Sequence, residues 1–184
     1  MKVPLVYANV AVVNWKAFQE LGVSEVFAPG SYYSSISLDF PVDLGGYRSP
    51  RIPDEPAVVN LVRAPCHSGL PARDQHRAGR TELLGTPFET FERSLRDQLG
   101  RMLGAGGFDP ARDITAITVN RWAHGYSYEY NSLWDEAWLE DQRPCVVGRQ
   151  PFGRITIANA DAGAFAYTNS AIDQAWRAVQ QLPA

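Results

Sequence analysis

Alternating apolar and polar positions, together with runs of apolar and β-branched residues, predict a set of short strands up to residue 121. In residues 34–40, Ile36, Leu38 and Phe40 alternate with polar neighbours, and a Pro-Gly pair separates this run from the apolar run before it. Such alternation is typical of strands that bury one face in an antiparallel sheet. Alternation also begins within residues 113–121, and β-branched or apolar composition predicts further strands over residues 3–13, 23–28 and 57–63.

Apolar residues three and four positions apart predict two helices among these strands. The shorter helix covers residues 15–21 and ends at Gly22. The longer helix begins at the capping box Thr86-Pro87-Phe88-Glu89, with Pro87 at the first helical position, and ends at Gly104. Its predicted buried stripe consists of Phe88, Phe91, Leu95, Leu99, Met102 and Leu103.

Polar residues, prolines and glycines predict loops between these elements. Residues 41–56 are rich in proline, and residues 64–80 hold His67 and His76 among polar neighbours. Residues 122–141 are aromatic and acidic, and they lead to a return of the chain near residues 145–147.

The C-terminal segment predicts a strand, a turn of small residues and a helix. The strand covers residues 154–161 and ends at Asp161, where a carboxylate either accepts a hydrogen bond from a sugar-like hydroxyl or caps the following helix. Gly163, Ala164 and Ala166 permit close approach of a planar ligand, and close helix packing would require the same residues. The helix carries a stripe that we expect in the core: Ile172, Ala175, Trp176, Val179 and Leu182.

The order of these elements predicts an α+β protein with a mixed, largely antiparallel sheet, followed by the C-terminal strand-turn-helix. Its 184 residues, 45% hydrophobic and 20% charged, suit one globular unit with a substantial core. The net charge of −3 disfavours nucleic acid and anionic membranes as partners, and no stretch is long and apolar enough to span a bilayer. Cys66 and Cys145 lack metal or redox spacing and are expected to be unpaired thiols without a metal.

A second candidate site lies in residues 120–131, NRWAHGYSYEYN. Aromatic faces beside carboxylates suit an ammonium-bearing ligand through cation–π and ionic contacts, although acidic residues are more often found in a solvated loop. The residues proposed for this site are Trp122, His124, Tyr126, Tyr128 and Glu129.

Two runs give the chain a resemblance to a known family. DITAITVNRWAHGYSYEY and RPCVVGRQPFGRITIANADAGAFAYTNSAIDQAWRAV resemble the C-terminal part of flavin-dependent amine oxidoreductases, most closely the bacterial spermidine dehydrogenase-like branch. The resemblance implies that residues 1–150 belong to a substrate domain and residues 151–184 to a segment that completes a Rossmann-like FAD domain. It gives no compartment beyond a bacterial cytoplasm or periplasm.

The resemblance also implies roles for individual residues. Asp161 would contact the FAD ribityl chain, and the backbone around Gly163, Ala164 and Phe165 would face the flavin. Trp122 matches a tryptophan that precedes the substrate-facing aromatic wall, so Tyr126 or Tyr128 would belong to that wall.

A complete FAD domain also needs a Gly-rich G-x-G-x-x-G turn, and this sequence contains none. The expected function is therefore that of the C-terminal portion of an enzyme that oxidises a polyamine-like amine by hydride transfer to FAD. The expected partners are a small amine and a Gly-rich FAD-domain polypeptide or missing N-terminal region. Two alternatives are a non-catalytic fragment or subunit, and an independent module whose aromatic-acidic loop binds a cation.

Overall fold

The computed structural model describes residues 2–133 and 135–182, and it has the predicted α+β architecture. Five antiparallel strands form one sheet in the order β2-β3-β4-β1-β5. Each overlaps one of the five runs predicted as strands. Their bounds are β1 Leu5–Val12, β2 Glu25–Phe27, β3 Ser35–Leu38, β4 Ala57–Arg63 and β5 Ile114–Trp122.

Six α-helices accompany the sheet within the described residues. Their bounds are α1 Lys16–Leu21, α2 Ala72–Gly85, α3 Phe88–Leu103, α4 Pro110–Asp113, α5 Pro144–Gly148 and α6 Thr168–Gln180. Short 3₁₀ turns lie at Gly104–Gly106, Glu140–Gln142 and Ala160–Gly163.

The core lies between one face of the sheet and α3. In β1, the alternate residues Val6, Ala8, Val10 and Val12 are buried, and they belong to the same cluster as the apolar stripe of α3. The residues between them, Tyr7, Asn9 and Ala11, lie on the opposite face. We call this second side of the sheet, with its partly exposed residues, the open face.

Helix α2 covers residues 72–85, so the loop expected over residues 64–80 is wrong for most of its length. Its sequence is mainly polar, and the buried positions are Gly79 and Leu83. The helix therefore has too few apolar residues to give a period that can be recognised. Its position is set by packing, which supplies most of the stability of a protein helix.

Gly79 is a point of close contact between α2 and the segment that precedes it. A Cβ built on Gly79 would lie 2.0 Å from the Pro65 carbonyl oxygen. We expect Gly79→Ala to lower the free energy of unfolding by about 1–3 kcal/mol, because the clash is with backbone. Gly85→Ala is the matched control: no atom lies within 4 Å of its built Cβ. It should be neutral or stabilise by up to about 1 kcal/mol. Urea unfolding of both variants checks the difference, and equal effects would contradict this packing.

The start of α3 also differs from the prediction. Pro87 is the N-cap residue, without a side-chain capping hydrogen bond, and the Thr86 hydroxyl donates to the Glu82 carbonyl at the end of α2. The capping box is therefore absent, because Thr86 serves the preceding helix. Phe88 was predicted in the buried stripe but is 40% exposed, so this part of the prediction is wrong, whereas Phe91, Leu95, Leu99 and Leu103 are buried as expected and Met102 is partly buried.

The C-terminal segment does not form the predicted strand. Phe152 and Ile155 bridge each other in a tight turn, and residues 156–158 have no regular secondary structure. A strand requires a neighbouring backbone to pair with. In the described part of the chain, none pairs with residues 156–161.

Helix α6 faces the opposite way from the prediction. The apolar stripe expected in the core is exposed, with Ile172 at 64%, Trp176 at 70% and Val179 at 61%. Ala175 and Leu182 are exposed as well. The residues that contact the protein are small or polar: Ser170 and Ala178 are buried, and Arg177 Nη2 donates to the Ile157 carbonyl over 2.5 Å. The amphipathic pattern thus identifies the helix but not the side that faces its own chain.

Candidate functional site

Asp161 connects three distant segments of the chain. One carboxylate oxygen accepts the backbone N–H of Tyr128 at 2.6 Å, and the other lies 2.6 Å from Lys2 Nζ. The cap of this turn is Asn159, whose side chain accepts the Ala162 N–H at 2.9 Å. The following helix, α6, has Tyr167 as its N-cap and no side-chain capping hydrogen bond, so the helix-capping alternative for Asp161 is wrong. The carboxylate remains about one third exposed, so it keeps room for another donor.

The turn after Asp161 is shaped by small residues. A Cβ on Gly163 would lie 2.5 Å from Ser170 Oγ of α6, so this glycine permits close helix packing. Ala164 has a left-handed backbone, with φ of 49°. The Ala164 N–H donates to the Asp161 carbonyl at 3.1 Å, and the Phe165 N–H donates to the Ala160 carbonyl at 3.4 Å. Both N–H groups are thus bonded within the turn.

Tyr128 and Asp135 fix the conformation of the aromatic loop. The Tyr128 hydroxyl donates to Asp135 Oδ2 at 2.8 Å, and the Asn131 N–H donates to the same oxygen at 2.9 Å. Burial of the ring, reinforced by this carboxylate, raises the pKa of Tyr128 well above its usual value near 10. Tyr128 therefore stays neutral at physiological pH and remains a hydrogen-bond donor.

Two cavities adjoin Tyr128 on different sides. The larger, about 690 Å³, is lined among others by Lys2, His76, Tyr126, Tyr128 and Glu129. The smaller, about 520 Å³, is lined among others by Tyr128, Tyr130, Trp138, Arg149, Gly163 and Ala164. Tyr128 of the aromatic-acidic loop thus lines the same cavity as Gly163 and Ala164 of the C-terminal turn. The two sites predicted from sequence therefore adjoin each other.

Trp122 and His124 lie outside both cavities. Trp122 is the last residue of β5, opposite Leu5, and is 53% exposed. His124 is exposed in the turn that follows. The structure therefore separates these two predicted substrate residues from Tyr126, Tyr128 and Glu129.

His76 is a cavity residue that the sequence did not indicate. Helix α2 carries it into the larger cavity, where its Nδ1 is buried and has no hydrogen-bond partner among the described residues. Burial lowers the pKa of this imidazole. A correct helix prediction over residues 72–85 would have been the signal needed to find it.

The neutral state of Tyr128 predicts a pH dependence of stability. Its folded pKa is raised, so the contribution is complete below about pH 10, where the unfolded tyrosine is also protonated, and decreases as pH rises above that value. We expect unfolding free energies measured in urea to fall between pH 9.5 and 11, and to fall less steeply in Tyr128→Phe. Tyr33, whose pKa is also raised by burial, keeps part of the slope in that variant. An unchanged slope would show that Tyr128 ionises alike in both states.

Within the described residues, no helix is long and apolar enough to cross a membrane, and no group of three or more potential metal ligands converges.

The fold is similar to part of a known oxidase. A search of solved structures finds a double mutant of putrescine oxidase with redesigned cofactor binding, with a TM-score of 0.58 and 12% sequence identity. The match covers 95% of this chain but only 34% of the oxidase chain, so this chain spans about a third of its length. Neither a protein-family model nor a curated protein matches the sequence. The fold of this chain is therefore similar to that of part of putrescine oxidase.

Proposed function

We propose that this chain is the C-terminal portion of an FAD-dependent oxidoreductase that oxidises a polyamine-like amine. In this proposal, residues 1–150 belong to the substrate domain and residues 151–184 complete the FAD domain. The observation that carries the proposal is the outward apolar stripe of α6. A helix with Ile172, Trp176 and Val179 exposed lacks the layer that should cover it.

The part of the oxidase that has no counterpart in this chain suggests what would cover α6. The portion of the oxidase that this chain does not match is about twice as long as the portion that it matches. An FAD domain contributed by an equivalent portion would supply the Gly-rich turn and an apolar surface for α6. The resemblance of residues 151–184 to the C-terminal part of flavin amine oxidoreductases points to the same arrangement.

In this proposal, the cavity at Gly163 and Ala164 would hold part of a flavin. Its volume of about 520 Å³ is in the range of small-molecule pockets, and the small turn residues and the Tyr128 and Tyr130 rings form its walls. Asp161 is not among the residues that line this cavity, but it is about one third exposed and would accept a hydrogen bond from a ribityl hydroxyl outside it. When bound, FAD would accept the hydride from the carbon next to the amine nitrogen.

The residues of this chain would bind and orient the amine. Tyr126 and Tyr128 offer aromatic faces to the alkyl chain and to an ammonium, and Glu129 offers a carboxylate in the larger cavity. Burial and Asp135 raise the pKa of Tyr128, so its side chain would be uncharged in the site. These roles stay predictions for the assembled protein.

A non-catalytic subunit is the second candidate. The N–H groups of Ala164 and Phe165 are bonded within their own turn, and Asp161 is already paired with Lys2. This arrangement favours a chain that docks on a flavoprotein without contacting the flavin through these groups.

The visible spectrum of the purified protein tests the proposal. The chain is expressed alone and together with a candidate FAD-domain polypeptide that carries a G-x-G-x-x-G turn, and both samples are desalted. We expect flavin absorption only in the co-purified assembly, with bleaching when putrescine or spermidine is added without oxygen. A yellow assembly that no amine bleaches would support the non-catalytic subunit, and two colourless samples would contradict the flavin proposal.

A further inference from the structure

Two arginines from separate elements converge on one oxygen atom beside the smaller cavity. Arg149, which follows α5, donates from Nη1 to Gln174 Oε1 at 3.2 Å. Arg177 of α6 donates from Nε to the same oxygen at 2.8 Å. All three residues are partly buried. The structure therefore holds two guanidinium groups side by side around a single neutral acceptor.

The other contacts of these two guanidinium groups are with neutral acceptors as well. Arg149 Nη1 also donates to the Ala162 carbonyl at 2.8 Å. Arg177 donates to the Ile157 carbonyl at 2.5 Å and to the side chain of Gln181. Within residues 2–133 and 135–182, neither arginine forms an ion pair with a carboxylate. Charged groups withdrawn from water are ordinarily paired with an opposite charge, so two positive charges here lack their counter-charge.

The Arg149 guanidinium also has an unused edge. Its contacts involve Nη1 alone, so the Nε and Nη2 N–H groups have no partner in the described part of the chain. These two nitrogens form the fork that binds two oxygens of one carboxylate or phosphate. Burial, followed by the nearby Arg149 charge, lowers the pKa of Arg177, as expected where two cations lie together. Arg149 lines the smaller cavity, so a small ligand in this cavity would contact it.

We propose that Arg149 and Arg177 bind a phosphate dianion. Its charge matches the two uncompensated guanidinium groups, whereas a carboxylate would neutralise only one of them. The Arg149 fork would hold two of its oxygens, and a third would take the place of the Gln174 amide oxygen at Arg177. A complete FAD domain binds the pyrophosphate of its cofactor at a Gly-rich turn, so this anion is a separate ligand, and the proposal does not rest on flavin binding.

Titration of the isotope-labelled chain with sodium phosphate tests the site by NMR. With ionic strength held constant by chloride, we expect saturable shifts of the Arg149 Nε–H signal and of amides near Arg149 and Gln174, and weaker binding of acetate. Arg149→Gln removes both the charge and the fork, and it should weaken phosphate binding roughly tenfold or more. Arg149→Lys keeps the charge but lacks the fork, so it should also bind phosphate more weakly than the unmodified chain.

Arg154→Gln is the matched control, because it removes the same charge at an exposed residue outside the smaller cavity. Its affinity for phosphate should equal that of the unmodified chain. Gln174→Glu keeps both arginines but supplies a carboxylate where they converge, so it should also weaken phosphate binding roughly tenfold. Circular dichroism checks that each variant is folded.

Three outcomes would overturn the proposal. Equal weakening in Arg154→Gln and Arg149→Gln would reduce the effect to net charge. Undiminished binding in Gln174→Glu would place the anion away from the point where the two arginines converge. Equal affinity for acetate and phosphate would contradict the selection of a dianion.

Discussion

Phe91→Ala is expected to lower the free energy of unfolding by about 3–5 kcal/mol, as is typical for truncating a buried phenylalanine. Phe91, in the first turn of α3, is 1% exposed. Its ring packs edge-on against Tyr32, with centroids 6.3 Å apart, and the Arg121 guanidinium lies 5.2 Å from its centre. Alanine would leave a cavity between α3 and the sheet and remove both contacts. Urea unfolding followed by circular dichroism measures the loss.

Phe88→Ala is the control for this prediction, because it makes the same change one turn earlier on the same helix. Phe88 is 40% exposed, so its removal should change the free energy of unfolding by no more than about 1 kcal/mol. The sequence pattern alone assigns both rings to one buried stripe. Similar losses in the two variants would therefore favour the stripe as predicted from sequence over the packing in the structure.

The sheet could be predicted from sequence because its strands follow a simple period. Residues 113–121 were predicted as a strand, and β5 covers Ile114–Trp122. One buried face and one partly exposed face impose alternation on each strand, and a shift by one residue would reverse it. This local rule needs no knowledge of the strand order.

Long-range pairing could not be predicted in the same way. Tyr33 is fully buried, and its backbone is bound by Gln98: the Tyr33 N–H donates to Oε1 at 2.9 Å, and Nε2 donates to the Tyr33 carbonyl at 2.7 Å. A glutamine within an amphipathic helix ordinarily faces water. Only the tertiary fold shows that this one completes the hydrogen bonds of a buried backbone segment.

The candidate site was predicted in part. The sequence named Tyr128, Gly163 and Ala164 in two separate sites, and the structure places them around one cavity. The connection through Asp161 joins Lys2 with residues near the other end of the chain, which no local pattern records. His76 was missed because α2 has too few apolar residues to be recognised.

The second large effect concerns the exposed stripe of α6. In the chain alone, Trp176→Glu should change the free energy of unfolding by no more than about 0.5 kcal/mol, because Trp176 is 70% exposed. In the assembly with the Gly-rich polypeptide, the same change places a charge where the proposal requires an apolar contact. Buried interface tryptophans typically contribute about 2–4 kcal/mol, so affinity should fall by roughly 30- to 1,000-fold.

Gln180→Glu is the control for charge, because it adds one negative charge to α6 at an exposed polar residue outside the apolar stripe. It should leave both the affinity for the Gly-rich polypeptide and the flavin absorption of the assembly unchanged. Binding is measured by co-purification and by titration calorimetry, and flavin retention by absorption after desalting. Loss of stability in isolated Trp176→Glu would mean that the stripe is buried within this chain. If the assembly with Trp176→Glu kept all of its flavin and its affinity, Trp176 would not lie in the interface. Another surface would then join the two polypeptides.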